Sequence, residues 1–216
     1  MDTFPQATST FMLPGPAGQL EVITVDSTKA SSSVMVICHP HPLHQGTMHN
    51  KVVTTLAKAA ERLSMPSVRF NFRGVGASEG DFANAVGEQD DCLAVIAWLK
   101  QVLPRHNIIL AGFSFGSYVA AAVAAKIKVS ALITVAPAVV NYPFLSLPSI
   151  TCPWLTVMGE EDEIVPFEAV EAFVQTRKET GIRYETLEGC SHFFHRKLID
   201  LRTICEDFLI TSEYFE

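Results

Sequence analysis

Residues 110–117 read Leu-Ala-Gly-Phe-Ser-Phe-Gly-Ser, and within them Gly112-Phe113-Ser114-Phe115-Gly116 fits a Gly-x-Ser-x-Gly spacing. The spacing has a steric cause: a sharp turn between a strand and a helix holds the serine in a strained backbone conformation and leaves no room for side chains two residues to either side. The flanking sequence has the required character. Residues 107–111, Asn-Ile-Ile-Leu-Ala, form a short apolar run with β-branched members, as in a buried parallel strand. Residues 118–127, Tyr-Val-Ala-Ala-Ala-Val-Ala-Ala-Lys-Ile, are Ala-rich without Gly or Pro, as in a helix packed closely on a sheet.

Working outward, strand-like runs lie at 8–13, 20–25, 34–38, 68–72, 108–112, 131–135, 154–158 and 183–187, and helix-like runs at 50–63, 87–101, 115–127, 167–176 and 193–209. The first two strands flank Pro14-Gly15-Pro16 and read as an antiparallel hairpin. The alternation that follows implies right-handed crossovers. The expectation is an α/β fold: an eight-stranded, mostly parallel, doubly wound sheet with helices on both faces, formed by residues 1–216 as a single domain. Ligands of such sheets bind at the carboxyl ends of the strands.

Of the 216 residues, 48% are hydrophobic and 18% charged, enough apolar material for a sizeable core. A formal charge of −7 with unclustered basic residues gives no footprint for nucleic acid and no polybasic membrane patch. The start, Met1-Asp2-Thr3-Phe4-Pro5-Gln6, lacks the basic and apolar segments of a signal peptide, so a cytoplasmic protein is expected. The five cysteines, at 38, 92, 152, 190 and 205, show no Cys-x-x-Cys spacing and read as reduced. A small-molecule partner is expected, with the chain a monomer or a homodimer.

Five loops follow predicted strands and should share one edge: 39–46, 73–76, the Ser114 turn, 159–162 and 189–192. A serine hydroxyl needs a base to become a nucleophile, and the base needs a carboxylate to orient it. Asp162, after the seventh strand, and His192, after the eighth, arrive in the order Ser, Asp, His. Asp162 is one of four acids in Glu160-Glu161-Asp162-Glu163; it lies three residues beyond Gly159, where a short side chain reaches inward. Catalysis by this set needs neutral His192, and activity should fall as that imidazole protonates.

An oxyanion needs two backbone N–H donors. Phe115 supplies one; in His39-Pro40-His41-Pro42 the prolines have none to give, so His41 is the natural second, with Leu43 its substitute. His39, His41, His44 and His49 also raise a rival metal-site reading, which lacks a helical His-Glu-x-x-His spacing and is hindered by two prolines. His39 is expected to be structural, with no metal and no cofactor required.

At this point the chain resembles the α/β-hydrolase superfamily, and within it the small lidless bacterial serine hydrolases related to carboxylesterases and dienelactone hydrolases. The resemblance rests on Cys38-His39-Pro40-His41-Pro42, residues 46–51 and 69–80, the Ser114 turn and Ser191-His192-Phe193-Phe194. It implies Ser114 as nucleophile, Asp162 as acid, His192 as base, and hydrolysis of carboxylic esters or thioesters through an acyl-enzyme. Dienelactone hydrolases proper use cysteine, so their substrate does not transfer. Only residues 137–153 separate the sixth and seventh strands, too few for a cap domain. That predicts an open site favouring short acyl groups, rimmed by Phe113, Phe144, Leu145 and Phe193. A non-catalytic binding protein on the same scaffold, or a peptidase, lactonase or perhydrolase using the same residues, are the alternatives.

Overall fold

The strands at the middle of the sheet have apolar side chains on both faces, and only a sheet covered on both sides can bury them. In the computed structural model, which describes residues 3–26, 31–177 and 181–212, these are β3 (Ser33–Cys38), β5 (Asn107–Phe113), β6 (Ala131–Val135) and β7 (Trp154–Gly159), buried along almost their whole length. Around them lie β1 (Ser9–Gly15), β2 (Gly18–Val25), β4 (Ser67–Phe70) and β8 (Ile182–Leu187). The eight strands run in the order β1-β2-β4-β3-β5-β6-β7-β8. β2 pairs antiparallel with β1 and β4, and all pairs from β4 to β8 are parallel. The outer strand β8 is half-buried, and Arg183 and Glu185 on it pair at 2.7 Å, a charged edge that discourages further strand addition.

Right-handed crossovers fix where the helices go. The step from β3 through α1 (Lys51–Arg62) to β4 runs one way along the sheet, and the steps through α2 (Gly87–Val102) to β5 and α3 (Phe115–Ala124) to β6 run the other way. Opposite directions put helices on opposite faces: α1 packs with α5 (Leu198–Ser212), and α2 with α3, while α4 (Phe167–Thr176) connects β7 to β8. α1 buries Val52, Val53, Leu56, Ala59 and Ala60 while Lys51, Lys58 and Glu61 remain in solvent; the Asn50 side chain caps it by accepting from the Val52 N–H at 2.8 Å. α3 is buried on every side, which its alanines permit. The two faces part between the carboxyl ends of β3 and β5, the crevice where open α/β sheets hold their ligands.

Two sequence expectations need correction. The first hairpin turns at Pro16-Ala17, because Pro14 and Gly15 stay in β1 and pair with Gln19 and Gly18; an edge strand tolerates Pro14. The last helix begins at Leu198 and not at Phe193, since Phe194 and Arg196 have φ of 54° and 62°, outside helical space. Between β6 and β7 the chain forms only a short helical turn, Phe144–Ser146. The Arg177 guanidinium holds it by donating to the Phe144 and Leu147 carbonyls at 2.9 and 2.8 Å, and among the described residues no cap domain is inserted between these strands. Among the described residues no helix is long and apolar enough to cross a membrane.

Buried polar groups tie these layers together. Thr134 on β6 accepts from the Trp154 indole N–H at 2.9 Å and meets the Thr156 hydroxyl at 2.9 Å, all three residues being buried. Arg73 forms a double contact with buried Asp91 on α2, at 2.7 Å from Nη2 to Oδ1 and 3.0 Å from Nε to Oδ2, and so holds the loop after β4. His39, fully buried, donates from Nδ1 to the Pro40 carbonyl at 2.6 Å and accepts the Phe72 N–H at Nε2 at 3.0 Å, joining the ends of β3 and β4. Burial pushes its imidazole down to about 3, against the opposing effect of the Pro40 carbonyl.

Thr134→Val should leave the Trp154 N–H buried and unpaired and cost about 1–3 kcal/mol of stability, read by urea unfolding. For His39, the unfolded chain takes up a proton below its ordinary value of 6.5 and the folded chain does not until about 3. Stability is therefore full above that ordinary value and declines as pH falls, by about 1.4 kcal/mol per pH unit for this one group. His39→Gln, which keeps an acceptor for Phe72, should flatten the slope of unfolding free energy between pH 6 and 4 by about one proton.

Candidate active site

The turn at Ser114 is set by two close approaches. A β-carbon at Gly112 would strike the carbonyl of Gly116, and one at Gly116 would strike the carbonyls of Cys38 and His39 at the end of β3. With both positions bare, the first turn of α3 fits against β3, and Ser114 takes up φ 53° and ψ −115°, a conformation few side chains adopt. Its N–H donates to the Val135 carbonyl at 2.8 Å. Buried Ser117, which the sequence reading passed over, places its hydroxyl 2.8 Å from the Gly112 carbonyl and 3.0 Å from that of Val135, stapling α3 to β5 and β6. At the head of α3, the Phe115 N–H has no acceptor within the helix and none among the described residues.

The loop after β3 faces this helix end. His41 caps a short helical turn, Pro42–His44; its Nδ1 accepts the Leu43 N–H at 3.2 Å, and its carbonyl accepts from the His44 and Gly46 amides, each at 3.0 Å. The Leu43 amide is thereby occupied, while that of His41 is without an acceptor among the described residues. Burial, with the neighbouring His44 charge, holds the His41 imidazole below its ordinary value and leaves Nδ1 free to accept. Its ring lies 5.1 Å from that of Phe115. Behind the loop, Asn71 accepts the Met48 N–H at 2.9 Å and Arg69 donates to the Met48 carbonyl at 3.0 Å. These contacts account for the 69–73 segment of the resemblance.

The acidic turn after β7 gives three of its four carboxylates different partners. Asp162 Oδ1 accepts the Ile164 and Val165 amides at 2.9 and 2.7 Å, and Oδ2 meets His192 Nδ1 at 2.7 Å. Both side chains are almost wholly shielded from water. Glu163 accepts the His192 backbone N–H at 3.0 Å, and Glu160 accepts the Thr186 hydroxyl at 2.8 Å. The acid that reaches the imidazole is thus Asp162. In the neutral imidazole, an Nδ1–H donated to Asp162 leaves the lone pair on Nε2.

Ser114, His192, His41 and Phe115 all line one cavity of about 470 Å³ at the carboxyl edge, with Asp162 behind His192. Of the four side chains expected to rim it, only Phe193 does so. Phe113 is buried beneath His192, ring centroids 5.0 Å apart, because β5 side chains alternate between the two faces of the sheet and both faces are covered. Phe144 packs into the core against Tyr118 and Phe173, and Leu145 projects into solvent away from the cavity. Tyr142, Asn141, Ile164 and Val165 take their place, on loops whose inward positions carry no local sequence signal. Of the histidines in the 39–49 loop His41 and His44 meet, ring centroids 4.7 Å apart, while His39 is turned into the core and His49 lies in solvent. Among the described residues no three His, Cys, Asp or Glu side chains group to hold a metal ion.

The chain as a whole has close counterparts. A solved α/β serine hydrolase homologue from Coxiella burnetii is 48% identical, matching 96% of this chain and 100% of that one with a TM-score of 0.91. XC6422 of Xanthomonas campestris, a serine hydrolase without a lid, is 38% identical over 97% of this chain and 96% of its own, with a TM-score of 0.92. An uncharacterized protein of Rickettsia prowazekii is 34% identical over 209 residues, 92% of this chain and 87% of the relative. The model of the α/β hydrolase fold matches residues 34–149. A strained serine between β5 and α3, a sheet uncovered at its carboxyl edge and relatives alike over nearly the whole length agree: the chain belongs to the α/β-hydrolase family, in its lidless form.

Proposed function

We propose that this hydrolase cleaves carboxylic esters through an acyl-enzyme on Ser114. The observation that carries the reading is the 2.7 Å contact between Asp162 and His192 beside the cavity that also holds strained Ser114. His192 Nε2 takes the Ser114 hydroxyl proton as Oγ attacks the substrate carbonyl carbon. Asp162 stays ionised, fixes the tautomer and stabilises the imidazolium. The oxyanion is held by the unpaired amides of Phe115 and His41, and the head of α3 adds favourable dipole charge. Collapse of the tetrahedral species breaks the bond to the alcohol oxygen, which receives the proton from His192. A water molecule, deprotonated by His192, then releases the acid and restores the serine hydroxyl. The lidless cavity suits a short acyl group on a small molecule.

A fluorophosphonate probe should label the protein stoichiometrically and Ser114→Ala not at all; retained labelling of the alanine variant would place the nucleophile elsewhere. Asp162→Asn should stay folded and lose about ten-thousandfold in kcat on p-nitrophenyl acetate, through the wrong imidazole tautomer. A loss of less than tenfold would assign the orienting acid to another residue.

A further inference from the structure

The cavity at Ser114 is lined by two chemically different sets of side chains, with no Lys, Arg, Asp or Glu among them. One set, on the loops after β7 and β8, is Ile164, Val165 and Phe193, next to His192. The other set, on the loops after β3 and β6, is His44, Gln45, Asn50, Asn141 and Tyr142. Asn50 spends its side-chain oxygen on the cap of α1; among the described residues its NH₂ group and the side chains of His44, Gln45 and Asn141 make no hydrogen bond, the last three being exposed to solvent. Tyr142 is held rigid, stacked on Tyr118 at 5.1 Å and edge-on to Phe115 at 5.2 Å.

The reaction geometry decides which part of a substrate meets which wall. His192 must hand its proton to the leaving oxygen, so the alcohol lies on its side of the serine, against Ile164, Val165 and Phe193. The carbonyl oxygen faces the amides of Phe115 and His41. The acyl substituent is left with the wall of amides and imidazole. An apolar acyl chain there would strip water from those groups and return no hydrogen bond, whereas a hydroxyl or amide on the acyl group would satisfy them. A carboxylate or phosphate would find no Lys or Arg in the lining to compensate its desolvation.

Resting on the serine hydrolase reading above, we infer that the substrate is an uncharged ester joining a short acyl group that carries a neutral hydrogen-bonding function to an apolar alcohol. Asn50 and Asn141 select the acyl part, and Ile164 and Phe193 the alcohol.

The test uses benzyl lactate, benzyl propionate, monobenzyl malonate and ethyl lactate, with each kcat/KM divided by the ester's alkaline hydrolysis rate. Benzyl lactate should exceed benzyl propionate and ethyl lactate by about tenfold each, the worth of one hydrogen bond or a buried apolar group, and monobenzyl malonate should be poorest. In a double variant, Asn50→Ser, which keeps a capping oxygen for α1, with Asn141→Leu, the preference for lactyl over propionyl should vanish. Phe193→Ser should erase the preference for benzyl over ethyl, and Asn141→Arg should raise turnover of monobenzyl malonate about tenfold. Corrected rates that do not differ in the wild type, or preferences that survive these variants, would overturn the inference while Ser114 still reacts with a fluorophosphonate. Failure of that labelling and of all turnover would sink the hydrolase reading itself.

Discussion

Gly116 touches the carbonyls of Cys38 and His39, and the architecture of the site follows from that contact. It brings the first turn of α3 against the end of β3, so the loop carrying His41 and the amide of Phe115 face one another across Ser114. Gly112 completes the constraint from the other side, since any β-carbon there would meet the Gly116 carbonyl. A methyl group at either position would push the helix off the strand and separate the two unpaired amides. The strain at Ser114 is the local consequence, and the Ser117 hydroxyl bonded to the β5 and β6 backbone helps to hold it.

The remaining site elements are positioned by satisfied polar groups in places that exclude water. His39 links the ends of β3 and β4 as a neutral imidazole, and Arg73 with Asp91 fastens the loop after β4 to α2. Asp162 uses one oxygen to order its own turn through two amides and the other to orient His192. Each is a group whose burial would be costly alone and is made tolerable by its partners. The result is a cavity lined by no Lys, Arg, Asp or Glu, with the short segment between β6 and β7 held by Arg177 through the Phe144 and Leu147 carbonyls.

Much of this was legible in the chain. Apolar runs between turn residues located all eight strands, and the spacing of Gly112, Ser114 and Gly116 has a steric meaning that needs no partner. Asp162 and His192 could be chosen because loops at the carboxyl ends of parallel strands share one edge. Less was legible where local pattern and tertiary packing part. Phe193-Phe194 reads as the start of a helix by composition, yet left-handed backbone at Phe194 and Arg196 delays it to Leu198. Phe113 and Phe144 read as pocket walls, yet their side chains lie in the core.

The sequence by itself determined the order of strands and helices, the strained turn and the type of chemistry its side chains can do, because periodicity, glycine spacing and donor inventory are local properties. The tertiary structure decided which of four acids reaches the imidazole, whether His41 or Leu43 keeps a free amide, and which side chains line the cavity. Those outcomes depend on distances and directions between segments far apart in the chain, and only the packed sheet and helices set them.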